Sequence, residues 1–235
     1  MTAAVATRSG ALGINPSLIV ISFFAILIAW VGPFDIPVNI ATFGQPALRV
    51  ALILAMISVG AFCAHKTGLH IEGVGAARPL VVGAAAAFLT AVYIALIDGF
   101  LFRSIAPQYY VQFIHGIGLS QRLTYYFMRA YQESVIYRLF LFSALIYGLT
   151  IWRGGRSLPA WQLVSAMIGV QALNVLLNTV APEPISLQIL AYDGARYLVP
   201  GSVWGWLYWR FGFATLEVAH AGSHVFLQPA LGVLI

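Results

Sequence analysis

An apolar segment from about residue 122 to residue 150 carries three charged side chains beyond Arg122 at its start, and this combination constrains the fold more than any other feature. The three are Arg129, Glu133 and Arg138. A charge at the centre of a bilayer costs about 2.5–3.5 kcal/mol on insertion scales, so each charge needs a partner inside the protein. Arg129 and Glu133 are four residues apart and can pair on one helical face. Arg138 points elsewhere and needs a partner on another segment.

The composition of the chain indicates a membrane protein. Hydrophobic residues make up 61% of the sequence and charged residues only 8%, against about 25% charged residues in a typical soluble domain. The mean hydropathy of +0.90 leaves no room for a sizeable soluble domain. The single cysteine, Cys63, excludes an internal disulfide framework and a cysteine-based metal cluster. Basic residues are scattered singly between apolar runs, so the net charge of +5 does not indicate nucleic-acid binding.

Seven apolar runs predict an all-α, polytopic membrane bundle of about seven transmembrane helices, formed as one domain over residues 1–235. Each run approaches the roughly 20 residues that a helix needs to cross the hydrocarbon core. We interpret the first run as a retained span, because no cleavage site with a mature soluble domain follows it. The predicted spans cover about residues 16–31, 47–64, 79–100, 122–150, 158–180, 186–208 and 212–234.

Basic residues concentrate in alternate loops, and this asymmetry predicts the orientation. The positive-inside rule places these loops, and with them the amino terminus, in the cytoplasm. We expect the membrane to be the plasma membrane of a bacterium. We interpret the aromatic group at Trp204, Trp206 and Trp209 as an anchor at the membrane interface. The basic residues of the cytoplasmic side are Arg8, Lys66, Arg78, Arg153, Arg156 and Arg210.

Polar groups that lipid would reject recur in four of the predicted spans. An unpaired polar group in hydrocarbon costs several kcal/mol, so we expect these faces to turn toward one another around a small internal cavity. We expect Asp193 and Arg196 to pair with each other, or with Arg138 and Glu133. Beside the charges of the fourth span, the polar groups are Asn174 in the fifth, Asp193 and Arg196 in the sixth, and Glu217, His220 and His224 in the seventh.

Such a cavity would hold the groups that hydrolysis requires. A carboxylate near an imidazole can activate water as a general base, and further imidazole or amide donors can stabilise a developing oxyanion. An amide bond can then be hydrolysed without a serine or cysteine nucleophile. The helical spacing of Glu217, His220 and His224 also resembles half of a metal site. We favour interhelical hydrogen bonding for these three residues and expect neither a metal nor a cofactor.

Two stretches carry a more specific signal when they are taken together. Residues 133–138 read E-S-V-I-Y-R. Residues 205–212 read G-W-L-Y-W-R-F-G and are followed by H-A-G-S-H at residues 220–224. These stretches resemble the E-E-x-x-x-R and H-x-x-x-N motifs of the CPBP intramembrane proteases, the family of CAAX prenyl proteases and bacteriocin-processing enzymes. Order and spacing agree over a family-like core of about residues 122–224.

The resemblance implies an all-helical membrane fold with its active site inside the membrane. It makes Glu133 the base that activates water, Arg138 the arginine of the first motif and His220 an oxyanion donor. His224 stands where asparagine is usual and can still donate a hydrogen bond. The implied function is that of an endopeptidase whose partners are membrane lipid and a membrane-associated peptide or protein substrate.

Two positions depart from the family pattern. Ser134 replaces the second glutamate, and the best-aligned stretch for the middle motif F-x-x-x-H puts Asn174 at the histidine position. An amide cannot accept a proton at neutral pH, so either His224 or Glu217 substitutes for that histidine or the chain is not a protease. The alternative is a catalytically inactive relative that serves as a membrane partner-binding or scaffold subunit. A metal or tetrapyrrole site at His220 or His224 is a third hypothesis.

Overall fold

The described part of the chain, residues 16–31, 45–72, 78–178 and 186–235 of a computed structural model, contains helices and no β-strand. This confirms the all-α prediction. The helices are α1 (Pro16–Val31), α2 (Pro46–Thr67), α3 (Arg78–Leu96), α4 (Gln108–Gly116), α5 (Leu119–Glu133), α6 (Ser143–Trp152), α7 (Ala160–Asn178), α8 (Leu187–Asp193), α9 (Val199–Phe211) and α10 (Phe213–Leu234).

In the described ranges, three of the helical rods contain a wide π segment. π turns are rare and occur frequently at functional sites. Each of these segments carries a buried charged side chain, namely Asp98, Arg138 and Arg196 in chain order. The segments extend α3, join α5 to α6 and join α8 to α9, and they cover Ile97–Leu101, Ser134–Phe142 and Gly194–Leu198.

Among the described residues, four helical rods are long and apolar enough to cross a membrane, which agrees with an all-α membrane protein. By length and composition, the described residues supply four spans where the sequence predicts seven. The first predicted span, α1, is apolar but only 16 residues long. The four rods that meet both conditions are Pro46–Thr67, Pro79–Leu101, Leu119–Trp152 and Ala160–Leu177.

The last two predicted spans fail on composition and not on length. The rod formed by α8, its π segment and α9 carries Asp193 and Arg196, and α10 carries Glu217, His220 and Gln228. These side chains lower the mean hydropathy of both rods. Arg196, His220 and Gln228 are buried within the bundle, where a polar group can meet protein partners in place of lipid.

Helix α10 runs from one end of the bundle to the other beside α3. A Cβ atom at Gly83 would lie 2.7 Å from the Val218 side chain, and one at Gly99 would lie 3.1 Å from the Leu234 side chain. At one end, the Phe213 amide donates to the His70 carbonyl oxygen at 3.0 Å. At the other end, His115 Nε2 lies 2.6 Å from the Ile235 carbonyl oxygen. The polar face of α10 is thereby held in the centre of the molecule.

The close approach of α2 to the π segment at Ser134–Phe142 depends on a missing side chain. A Cβ atom at Gly60 would lie 2.5 Å from the Leu139 carbonyl oxygen. Ile53 and Ile57 of α2 and Leu139 are each at most 3% exposed and belong to the main hydrophobic core. This packing fixes the position of the helix that carries Glu133.

Candidate functional site

Glu133 ends α5 and forms an ion pair with the residue one turn earlier. Arg129 Nε donates to Glu133 Oε1 at 2.9 Å, and Arg129 Nη1 donates to the Tyr125 hydroxyl at 3.2 Å. The pairing predicted from the four-residue spacing is confirmed. The Arg129 side chain is 31% exposed and the Glu133 side chain 19%, so the ion pair lies at the edge of the buried network.

The second carboxylate oxygen of Glu133 faces α7. Asn174 Nδ2 donates to Glu133 Oε2 at 3.4 Å and lies equally far from Gln171 Oε1. Both contacts are long for N–H···O bonds and therefore weak. The structure thus brings together Glu133 and Asn174, two of the residues in the predicted site. No imidazole among the described residues hydrogen-bonds Glu133 in this arrangement.

Arg138 is 2% exposed and obtains its partners from other helices. Its Nη2 donates to Gln171 Oε1, and its Nη1 donates to the Glu133 carbonyl oxygen at 3.4 Å. The guanidinium carbon lies 5.7 Å from the centre of the Trp204 ring, in the range of a cation–π contact. The fold therefore supplies Arg138 with two partners from other helices, the amide of Gln171 and the indole ring of Trp204.

Gln171 was not predicted as a site residue, although it links three helical rods. Besides accepting from Arg138, its Nε2 donates to the Tyr197 carbonyl oxygen at 3.0 Å. A Cβ atom at Gly201 would collide with the Gln171 amide, so the glycine makes room for this contact. The sequence signal that could have identified Gln171 is its spacing, because it lies three residues before Asn174 on the same face of a helix.

His220 is held by two contacts that the sequence did not reveal. Its Nδ1 lies 3.0 Å from the Ser134 hydroxyl, and its ring stacks on Trp204 with centroids 3.7 Å apart. Ser134 is thus the residue that positions the imidazole. Trp204 is only 7% exposed, so its interpretation as an interface anchor was wrong. An aromatic run of this composition fits a membrane interface and a buried ring stack equally well.

His224 lies one turn beyond His220 and faces another part of α5. Its ring stacks on Tyr126 at 4.8 Å between centroids, and its Nδ1 lies 3.4 Å from Gln228 Nε2. The two imidazole rings are 6.0 Å apart and tilted by 42°. Glu133 is close enough to His224 for the two charges to influence each other, without a direct hydrogen bond between them in the described residues.

Glu217 completes the polar face of α10 without a regular hydrogen bond. It lies beside Ser134 and Arg138, yet both of its carboxylate oxygens are buried and lack a partner among the described residues. Within the described ranges, no three His, Cys, Asp or Glu side chains are grouped to hold a metal. The alternative metal site at Glu217, His220 and His224 is therefore not supported, because each imidazole is directed to its own neighbour.

A second ion pair, which is buried, joins the π segment at Ile97–Leu101 to that at Gly194–Leu198. Arg196 Nε donates to both carboxylate oxygens of Asp98, at 2.7 and 2.9 Å. The Tyr192 and Tyr110 hydroxyls donate to the same carboxylate at 3.1 and 3.3 Å. The predicted pairing of Arg196 with Asp193 or Glu133 was wrong, because Asp98 is 98 residues away in the chain and the fold alone brings the two together.

A depression of about 280 Å³ lies near the start of α5. Tyr125 links it to the site, since this residue lines the depression and its hydroxyl accepts from Arg129. The depression is lined by Ser120, Gln121, Thr124, Tyr125 and Met128.

The site therefore combines a partly exposed carboxylate, an amide donor and a positioned imidazole within one bundle. Glu133 and Ser134 are consecutive, so one helix places the carboxylate and orients His220. A carboxylate can serve as a general base, and amide and imidazole N–H groups can stabilise an oxyanion. Comparison of the chain with protein-family models, with curated proteins and with solved structures found no match.

Proposed function

We propose that this protein is a membrane-embedded endopeptidase in which Glu133 activates water. The observation that carries the proposal is the Glu133 side chain, which is 19% exposed, paired with Arg129 at 2.9 Å and in contact with Asn174. In its carboxylate form, Glu133 can accept a proton. The resemblance of residues 133–138 and 220–224 to the CPBP motifs supports a membrane-associated peptide or protein as substrate.

Glu133 and Asn174 would have different roles toward the water molecule, one as base and the other as hydrogen-bond donor. Glu133 takes a proton from water while the water oxygen bonds to the carbonyl carbon of the substrate. The tetrahedral intermediate then breaks its C–N bond, and the proton held by Glu133 passes to the leaving nitrogen. Asn174 cannot accept a proton, so its role is to donate a hydrogen bond that orients the water or the carbonyl oxygen.

His220 would stabilise the oxyanion. When the Ser134 hydroxyl donates to Nδ1 of His220, the proton of the neutral ring lies on Nε2, which becomes a hydrogen-bond donor. The Trp204 stack fixes the plane of the ring. A preorganised donor of this kind contributes about 10²–10³ to a turnover rate in known enzymes.

The seven-helix arrangement also belongs to the proposal. We infer that α1, the rod formed by α8 and α9, and α10 cross the membrane together with the four apolar rods. The support is that α10 extends along α3 from His70 at one end to His115 at the other, with its polar side chains turned inward. The amino terminus would be cytoplasmic, and the membrane would be the plasma membrane of a bacterium.

A second candidate function is a catalytically inactive, partner-binding membrane subunit. Both carboxylate oxygens of Glu133 already have partners, Arg129 and Asn174. Asn174 occupies the position of the family histidine, and its amide hydrogen-bonds Glu133 and so links α7 to α5. A network of this kind stabilises helix packing even when no reaction occurs.

The two candidates differ in what the carboxylate charge does. We would express the wild type and Glu133→Gln in cells and quantify new protein termini in their membranes by mass spectrometry. We expect termini that depend on Glu133 and fall by about 10²–10⁴ in the variant, the usual contribution of a general base. Glu72→Gln is the matched control, since Glu72 is exposed and far from the site in sequence.

The result that would reject hydrolysis is an unchanged set of termini in Glu133→Gln. Asn174→His makes that result decisive, because it restores the imidazole of the family motif beside Glu133. If neither variant changes the termini while both are inserted and folded, the binding function is the correct one.

A further inference from the structure

Arg122, in the first turn of α5, is a buried guanidinium without a visible counter-charge. The residue is 6% exposed. Its Nε and Nη1 atoms are buried and have no hydrogen-bond partner in the part of the chain that the structure describes. A buried guanidinium without partners costs several kcal/mol. An anion from outside the described side chains would supply the missing counter-charge.

The helix that carries Arg122 places it at the level of lipid headgroups. The rod Leu119–Trp152 has 34 residues, which at 1.5 Å per residue gives about 51 Å. The hydrocarbon core is about 30 Å thick and the whole bilayer about 40–45 Å. If the rod is centred in the bilayer, its first turn lies beyond the hydrocarbon. Aromatic rings of Phe113, Tyr125 and Tyr126 pack together one turn away, as expected at a membrane interface.

One nitrogen of the guanidinium lies beside an exposed glycine. A Cβ atom at Gly232 of α10 would lie 3.0 Å from Arg122 Nη2, and Gly232 itself is exposed. We infer that the space left by the absent side chain is the window through which a group from the lipid side would reach Nη2.

The start of α5 adds donors to the same end of the helix. Its N-cap residue, Gly118, has no side chain to accept from the first backbone N–H groups, so the helix is uncapped. A helix N-terminus attracts anions through these N–H groups and the helix dipole.

We propose that Arg122, reached through Gly232 and assisted by the start of α5, binds the phosphate of a membrane phospholipid. A phosphate oxygen pair matches the planar fork of a guanidinium, and a headgroup supplies the anion at the depth where Arg122 lies. The site is separate from Glu133 and does not depend on hydrolysis.

The test measures lipid binding to the purified, delipidated full chain in detergent. Native mass spectrometry would count bound phosphatidylglycerol during a titration, with Arg122→Gln as the variant. We expect one lipid to bind the wild type at least about tenfold more tightly than the variant, the lower range for hydrogen bonds to a charged group. Arg103→Gln is the control, because Arg103 is exposed and precedes the same helix pair; it should bind like the wild type.

A second variant keeps the guanidinium and closes the window. Gly232→Leu should weaken lipid binding by a similar factor while the melting temperature of the lipid-free protein is maintained, since glycine is a poor helix former. Val233→Leu is its control, because Val233 is the neighbouring residue and is 85% exposed.

Two further arms identify the source of the anion. A diacylglycerol with the same acyl chains lacks the phosphate and should bind at least about tenfold more weakly. Inorganic phosphate at the same concentration should not displace the lipid. Equal binding by Arg122→Gln and Arg103→Gln, equal binding of diacylglycerol, or displacement by inorganic phosphate would each overturn the proposal.

Discussion

At the scale of single residues, the hydroxyl of Ser134 has a larger effect than its size indicates. It is fully buried and is the contact that sets the orientation of His220. A buried imidazole nitrogen that loses its partner is left with the full cost of its desolvation, about 1–3 kcal/mol. The serine therefore contributes both to stability and to the direction in which the other ring nitrogen points.

We expect Ser134→Ala to lower both the free energy of unfolding, by about 1–3 kcal/mol, and any Glu133-dependent cleavage, by at least about tenfold. Ser143→Ala is a matched control, because Ser143 is equally buried and its hydroxyl lies 2.9 Å from the Tyr208 hydroxyl, away from the imidazole. Chemical denaturation and terminus counting would be measured on both. A parallel loss of cleavage in Ser143→Ala would show that Ser134 acts through stability alone.

Individual pairings could be predicted from the sequence only where they are local. The Arg129–Glu133 ion pair follows from helical spacing. The Arg196–Asp98 pair joins residues 98 positions apart, and no periodicity reports such a distance. The stacking of Trp204 on His220 was missed for the same reason. Candidate residues could thus be chosen from the sequence, but their partners depended on the fold.

At the scale of the helices, backbone contact between α2 and the rod of α5 and α6 is a tight constraint. Gly60 faces the Leu139 carbonyl oxygen, and backbone atoms cannot move aside as a flexible side chain can. Any larger residue must separate the two helices and disturb the packing that holds Glu133.

We expect Gly60→Ala to destabilise the protein by about 1–3 kcal/mol, the usual cost of overpacking a core. Gly148→Ala is the matched control on the neighbouring helix, since nothing lies within 4 Å of a Cβ atom there. That variant should be neutral or stabilising by up to about 1 kcal/mol. Thermal unfolding in detergent measures both, and equal melting temperatures for the two variants would contradict the close approach described here.

Helix positions could be predicted well, and helix irregularity could not. Apolar runs gave the approximate bounds of α1, α2 and α3, because a bilayer selects for length and hydropathy. The π segments cannot be recognised from the length or hydropathy of these apolar runs. A π turn depends on which backbone carbonyl each N–H reaches, and that choice is made by neighbouring helices as they pack.

At the scale of the whole molecule, the count of membrane crossings is the main question that topology mapping can answer. Hydropathy identifies four candidate membrane spans in the described residues. It measures composition and does not detect which polar residues face inward. Helix α10 fails that measure, although its ends lie beside His70 and His115 at opposite ends of the bundle.

We expect α10 to cross the membrane completely. In a Cys63→Ser background, single cysteines would be introduced at Gly118, at Gly155 and after Ile235, and labelled with a membrane-impermeant maleimide from either side. The cysteine after Ile235 should react from the same side as the one at Gly118 and from the side opposite to Gly155. Labelling together with Gly155 would mean that α10 enters and leaves on one face.

The π segments have a consequence for how relatives of this chain are to be aligned. In a π turn, each N–H donates to the carbonyl oxygen five residues earlier in the chain, whereas in an α turn it donates to the one four residues earlier. A protein with one residue fewer between Ser134 and Phe142 could therefore form an unbroken α-helix with both of its ends in the same places. Single-residue gaps belong inside these helices as much as in loops. An alignment that forbids gaps there would put either Glu133 or Arg138 out of register by one position.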